Sequence, residues 1–236
     1  MEDIIESLIH LSTPLLWLIF LIENVAITMG VLIIGKMLQQ KFRSSQAVSY
    51  HYTAHEVWVC ILTNTLNTVV TYVGFWLWKE GIIKISLTGW ISIIPDFIIL
   101  FMIMDLLMYI FHFIIHKTFL YHAIHQLHHL SVNPKPIDLF VLHPVETLCF
   151  GGLWLIVLVG HSFNLYAIIL YLIVNVIFGM VGHLGMEPLP ERIRSSPLLK
   201  YIGTSTFHHN HHQDVSHNFG FYTNLWDRLF GTFSKG

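Results

Sequence analysis

Five apolar stretches limit what this chain can fold into. They occupy residues 14–38, 57–78, 91–115, 147–159 and 163–181. A bilayer core about 30 Å thick takes roughly 20 apolar residues per helix, so four of these runs are long enough and only 147–159 is short. The last two are separated only by Gly160-His161-Ser162, a break short enough for a helical hairpin whose first arm is short for a full span. Charged residues make up 11% of the 236 residues, against about 25% in soluble domains. So few charges cannot cover a soluble globule. An integral membrane protein is expected, all-α, with four to five transmembrane helices. A formal net charge of -2 leaves no basic surface for nucleic acid. The two cysteines, Cys60 and Cys149, lie in apolar stretches and do not define a redox compartment.

The amino-terminal segment carries Glu2, Asp3 and Glu6 and no basic residue, which suits a signal anchor better than a cleavable signal peptide. Lys36, Lys41 and Arg43 follow the first apolar run. The positive-inside rule therefore puts the amino terminus outside and this loop in the cytosol. Residues 116–140 and the carboxyl-terminal region, with Lys117, Lys135, Arg192, Arg194 and Lys200, then fall on the cytosolic side as well. Lys79 and Lys84 lie on the opposite side and count against this orientation. From about residue 182 the chain turns polar, with Pro188, Pro190 and Pro197, and no further crossing is expected.

Seventeen histidines are the anomaly in so apolar a chain. The third run holds Asp105, Tyr109, His112 and His116 at spacings that share one helical face. Asp105 falls near the membrane midplane, where ionisable groups normally face the bundle interior; an Asp–Tyr or Asp–His hydrogen bond joining helices is the competing role. His125, His128 and His129 form an H-x2-H-H group, and His208, His211 and His212 repeat it. His183 ends the fifth run. On a helix, i, i+3 and i+4 share a face, so each triplet is expected to converge on a metal. A lone H-x3-H pair says little, but two triplets and a pair on the same membrane side point to metal binding. Nine imidazoles exceed the needs of one ion and match two ions with four or five nitrogens each. A cytosolic, His-rich helical cap holding a dimetal site is the expected architecture.

The run Asp105-x3-Tyr109-x2-His112-x3-His116, Leu120-Tyr121 and His125-x2-His128-His129 resembles the fatty acid hydroxylase/sterol desaturase superfamily. So do Asn133-Pro134, His143-Pro144-x-Glu146, Phe207-His208-x2-His211-His212, Asn218-Phe219-Gly220 and the Trp226–Thr232 ending. The resemblance implies a membrane-bound di-iron oxygenase that hydroxylates or desaturates a lipid in lipid biosynthesis. It implies two iron ions (Fe2+/Fe3+), dioxygen and a separate electron donor, such as a cytochrome b5-like protein, a ferredoxin or a reductase. It also implies residence in the endoplasmic reticulum membrane of a eukaryote or the cytoplasmic membrane of a bacterium. By the same resemblance the ligands are His112, His116, His125, His128, His129, His183, His208, His211 and His212. Some relatives carry another histidine four residues after His183; here Glu187 stands there, as a tenth ligand or as a solvated loop charge. Residues 91–236 would form the catalytic unit and 1–90 the anchor and second helix, in a single membrane-embedded body.

Around these ligands, His143 and Glu146 are read as supports of the ligating imidazoles combined with a helix start at Pro144. Asn175 lies on the same face as Gly179 and His183, holding a water or an interhelical hydrogen bond. Asp105 and Tyr109 are further candidates for the support or pocket of the site. His209, between ligands, is expected to point away; His122 and His217 are read as near the site without ligating, and His10, His51, His55 and His161 as interfacial polar residues. Gly151, Gly152, Gly179 and Gly182 are read as permitting close helix packing. The rival class is a His-rich membrane metal transporter or metal-binding protein, whose sites would lie near the midplane between repeats. A bis-His haem protein would leave most of these histidines unused.

Overall fold

The structure, a computed structural model, describes residues 7–42, 51–87, 89–197 and 199–235. Glu2, Asp3, Glu6 and Arg43, used above for orientation, lie outside the described residues. Helices α1 (Thr13–Phe42), α2 (Ala54–Lys79), α3 (Ile93–Lys117) and α5 (Leu165–Gly182) are long and apolar enough to cross a membrane, and α4 (Pro144–Gly160) is the shorter arm of the hairpin. The four-to-five expectation therefore resolves into four full spans and one short arm.

Local chemistry explains the helix starts. Thr53 caps α2 in a capping box with Glu56. Pro144 opens α4, and the Nδ1 of His143 accepts from the backbone N–H of Val145 at 3.2 Å. Asn164 caps α5 by accepting from the N–H of Tyr166 at 2.9 Å. In the bundle, α1 packs on α2, α2 on α4, and α3 on both α4 and α5. A Cβ at Gly151 would meet Val70 at 2.5 Å, so a glycine is what lets α4 approach α2 this closely. At the end of the bundle remote from the histidines, Ile85–Ser86 (β1) pairs in parallel with Phe163–Asn164 (β2). There the Asp96 carboxylate accepts from the Asn164 N–H at 2.8 Å.

The histidine end is built differently from the expected helices. Tyr121–His125 is a π-helical turn, and His128–Leu130 and Pro136–Phe140 are 3₁₀ turns. The polar carboxyl-terminal part holds α6 (Glu191–Arg194), α7 (Ser205–Gln213) and α8 (Leu225–Phe230). None of its described helices is long enough to cross a membrane, and it folds back along α3. Asp105 is fully buried and accepts hydrogen bonds from the N–H of Tyr222 and of Thr223, both at 3.1 Å, from the Thr223 hydroxyl, and from the Trp226 indole at 2.9 Å. Tyr109 bonds the Thr232 hydroxyl at 3.1 Å and stacks on Phe230. A second buried carboxylate, Asp227, holds the same segment by accepting from the N–H groups of Phe219 and Gly220 and from the Thr232 hydroxyl. The expected Asp–Tyr or Asp–His hydrogen bond between helices is not what Asp105 makes; the carboxylate faces the tail, where four donors converge.

Asp105→Ala removes the acceptor of four donors, two of them main-chain groups with no alternative. Unpaired buried donors cost about 1–3 kcal/mol each, so the tail should detach before the bundle unfolds. Limited proteolysis of the solubilised protein should show new cleavage within residues 218–233, a lower melting temperature, and a milder effect for Asp105→Asn.

Candidate metal centre

The nine histidines gather at one end of the bundle as two groups. The first contains His112 and His116 of α3, His125 and His129 of the connector, and His211 of α7. The second contains His128 of the connector, His183 at the end of α5, and His208 and His212 of α7. Within each group the ligand atoms lie within 4.8 Å of one another, and all nine side chains are buried except the half-buried His116.

The triplets do not converge as whole units. Pairs at i and i+4 stay together: 112 with 116, 125 with 129, 208 with 212. The i+3 member crosses to the other group, so His128 joins the α7 pair and His211 joins the connector pair. On α7 this follows from helix geometry, since a residue three positions on lies on the opposite flank of the ridge from the one four on. In the connector the change from π to 3₁₀ turn between His125 and His128 has the same result. The two segments thus exchange one ring each.

Proton positions follow from the partners. A carbonyl oxygen can only accept, so a ring nitrogen bonded to one carries the hydrogen. By this rule Nδ1–H is donated by His112 to Phe219 O at 2.8 Å, by His183 to Gly179 O at 2.7 Å, by His211 to His217 O at 2.6 Å and by His212 to Ser131 O at 2.9 Å. His128 does the same, at a long 3.4 Å, to Val141 O. His125 places Nδ1 2.6 Å from the buried carboxylate of Glu146. In a neutral ring the other nitrogen, Nε2, is then a bare lone pair. Yet Nε2 of His183 lies 3.3 Å from Nε2 of His128 and 3.2 Å from that of His208, and Nε2 of His112 lies 3.0 Å from that of His125. The pair His128–His183 has no proton between its lone pairs. Nε2 of His211 and Nδ1 of His116 and of His129 have no partner at all. Converging lone pairs and orphaned nitrogens fit a cation, and each group can hold a metal ion.

Burial holds these rings neutral. It lowers His183 to about 4, against an ordinary 6.5. Burial, reinforced by His183 and His211, lowers His212 to about 2. His125, His128, His129, His208 and His211 are pushed far down by burial and by one another.

The remaining candidates divide clearly. Glu146 touches His125, whereas His143 serves only the start of α4. Asn175 joins α5 to the tail rather than to another helix, its amide oxygen accepting from the Tyr222 hydroxyl at 2.7 Å. Asp105 and Tyr109 anchor the tail and belong to neither group. Glu187 is also in neither group; its carboxylate accepts from the N–H and hydroxyl of Thr206, at the start of α7. His209 and His122 face outward on Gln213 and Gln126, and His217 contributes only its main-chain oxygen to His211. The carbonyl acceptors of Phe219, Gly179, Val141, Ser131 and His217 were invisible to side-chain reasoning. Only the Asn218-Phe219-Gly220 motif marked one of them.

The depressed pKa values set a pH dependence. Folding with neutral rings is unpenalised above about 6.5, the ordinary histidine value. Below it the unfolded chain takes up protons that the folded cluster refuses, so stability falls as pH drops from about 6.5 toward 4 and below. Protons also compete with a metal for the same nitrogens. Bound metal should be retained at pH 7.5 and released progressively below pH 6, measured as protein-bound metal after desalting across a pH series.

A sequence model described as "Fatty acid hydroxylase" matches residues 97–232, more than half of the chain and every histidine of both groups. The lathosterol oxidase of Rattus norvegicus is 32% identical over 148 residues, covering 61% of this chain and 47% of that enzyme. The methylsterol monooxygenase 1 of Gallus gallus is 28% identical over 131 residues, covering 54% and 42% respectively. A very-long-chain aldehyde decarbonylase of Oryza sativa subsp. indica is 30% identical over 138 residues, covering 56% and 22%. The chain thus spans less than half the length of each of these relatives. No solved structure matches. Because the matched segment is the one that builds both histidine groups and the tail clamp around them, the chain belongs to the fatty acid hydroxylase family.

Proposed function

We propose that this protein is a membrane-bound non-haem di-iron oxidoreductase that hydroxylates or desaturates a lipid, a sterol or a long-chain acyl compound. The observation that carries this reading is the convergence of unprotonated ring nitrogens into two adjoining groups of five and four. Imidazole suits iron as well as zinc, copper and nickel; the sterol and aldehyde chemistry named for the relatives favours iron. The bound irons would supply the reduction of dioxygen and the removal of hydrogen from an unactivated C–H bond. Dioxygen takes four electrons. Two come from the substrate, through one C–H bond in hydroxylation or two in desaturation, and two, with two protons, from a separate donor, giving the alcohol and one water or the alkene and two waters.

The chain's own residues hold and orient. Five carbonyls and Glu146 each take an Nδ1–H, which turns Nε2 inward and fixes the tautomer. Burial of the rings excludes water from the site. The apolar interior between α3, α4 and α5 offers the route for a lipid. A transporter is disfavoured, because both groups sit at one end of the bundle and not at its middle.

The Lys and Arg distribution supports a cytosolic location for the histidine end, where a cytosolic or membrane-bound donor could reach it. We propose the endoplasmic reticulum membrane for a eukaryotic source and the cytoplasmic membrane for a bacterial one. We also propose that 91–236 form the catalytic unit with 1–90 built onto it. Gln39 of α1 donates to Leu184 O at 2.7 Å, and Gly35 lies against Pro136, so α1 braces the loop after His183.

Purified protein should contain about two irons per chain by elemental analysis, without a haem absorption band. His128→Ala and His211→Ala remove a ring from different groups, so each should lose about one iron and at least ~100-fold of the activity. Lipid profiling of cells with and without the active gene should identify the product. Two-iron occupancy in both variants would refute the ligand assignment.

For orientation, cysteines placed at Lys135 and Ser234 of a cysteine-free variant should resist an impermeant thiol reagent in intact cells and react after permeabilisation. Labelling of either before permeabilisation would reverse the proposed topology.

A further inference from the structure

One aromatic ring outside the histidine groups bridges them. Phe221 has its centroid 5.4 Å from the ring of His112, in the first group, and 6.4 Å from that of His208, in the second. Phe219, by contrast, touches only rings of the first group, His112, His116 and His211. Phe221 therefore covers the gap between the two groups. It also ends an aromatic column: Phe221 packs edge-on against Phe150 of α4 at 5.6 Å, and Phe150 against Phe111 of α3 at 5.0 Å. Phe150 and Phe221 pack on the apolar cluster between α3, α4 and α5.

Elsewhere the first group is faced by the rings of Phe219 and Tyr121, and both groups by polar main chain. The carbonyls of Ser131, Val141 and His217 there take the Nδ1–H bonds. An apolar reactant approaching from the bilayer meets Phe221 before it meets the gap. The backbone at this point cannot give way. Tyr222 and Thr223 are tied to Asp105, and Phe219 and Gly220 to Asp227. A Cβ on Gly203 would lie 2.7 Å from the Phe221 carbonyl, so the chain passes in close contact there.

We propose that the Phe221 ring is the surface against which the reacting segment of the lipid lies, and that its size decides which lipids reach the gap between the two groups. This rests on the lipid-oxidation reading above. Shrinking the ring opens the gap to broad, multi-ring lipids, and enlarging it closes the gap to them first.

The test uses the full-length purified protein, metal-loaded and metal-free, as parent, Phe221→Ala, Phe221→Leu and Phe221→Trp. Saturation binding is measured with two tritiated probes, lathosterol as a broad rigid lipid and octadecanoic acid as a single chain. Oxidation of the same probes and iron content are measured in parallel. The ratio of sterol to chain binding should rise about tenfold in Phe221→Ala, a range typical of pocket-size changes. It should rise less in Phe221→Leu and fall in Phe221→Trp, with iron content equal to the parent's in all three. The leucine variant keeps apolar volume if alanine does not fold. A ratio within twofold of the parent's in the folded variants would overturn the proposal. So would loss of iron from both the leucine and alanine variants, because Phe221 would then merely prop His112 and His208. If the iron-loaded parent binds and oxidises neither probe nor any membrane lipid, the lipid-oxidation reading fails and this inference with it. If the parent is active and the ratios do not move, only this inference fails.

Discussion

The structure depends on holding nine neutral imidazoles together with their lone pairs facing inward. Nitrogen atoms 3.0–3.3 Å apart with no shared proton repel, and burial forbids the rings from relieving this by protonation. Protein contacts alone therefore do not satisfy the centre. It is kept in shape by what surrounds it: five main-chain carbonyls and one carboxylate. The cost of assembling such a cluster is borne by the scaffold, which leaves the nitrogens ready for a cation rather than for one another.

The two buried aspartates explain how a polar tail comes to rest on an apolar helix. A carboxylate accepting several hydrogen bonds is stabilised by each of them. Asp105 and Asp227 between them take the N–H groups of Phe219, Gly220, Tyr222 and Thr223, so almost every donor of that stretch is satisfied. The stretch then delivers the Phe219 carbonyl to His112 and the Phe221 ring to the gap. Asp105, read as a candidate for the support or pocket of the site, lies two helical turns before His112 and holds the segment that touches the histidines. Tyr222 completes the arrangement from the other side, with its hydroxyl donating to Asn175 of α5 and bonded by Tyr171.

Much of the architecture was legible in the chain. The scarcity of charge and the lengths of the apolar runs determined a membrane-spanning helical bundle, and Gly160-His161-Ser162 marked its hairpin. The common face of Asp105, Tyr109, His112 and His116 survives in α3, because four-residue spacing is a property of the helix alone. The pairing of 112 with 116 and of 208 with 212 follows from the same geometry, and the number of histidines already suggested two ions.

What the tertiary structure decided was which ring goes to which group and what each support does. Sequence spacing fixes directions only along one regular helix. His125, His128 and His129 lie across a π turn and a 3₁₀ turn, whose widths no spacing rule foresees, so His128 departs from its neighbours. Glu187 stands where a ligand was possible, yet it binds the first turn of α7, because Thr206 offers it two donors there. The acceptors that set the tautomers are main-chain carbonyls, identical at every residue and placed only by the path of the fold. By itself the sequence determined the ring chemistry and the membrane; the inward aim of those rings came from packing, because the groups that aim them carry no side-chain signature.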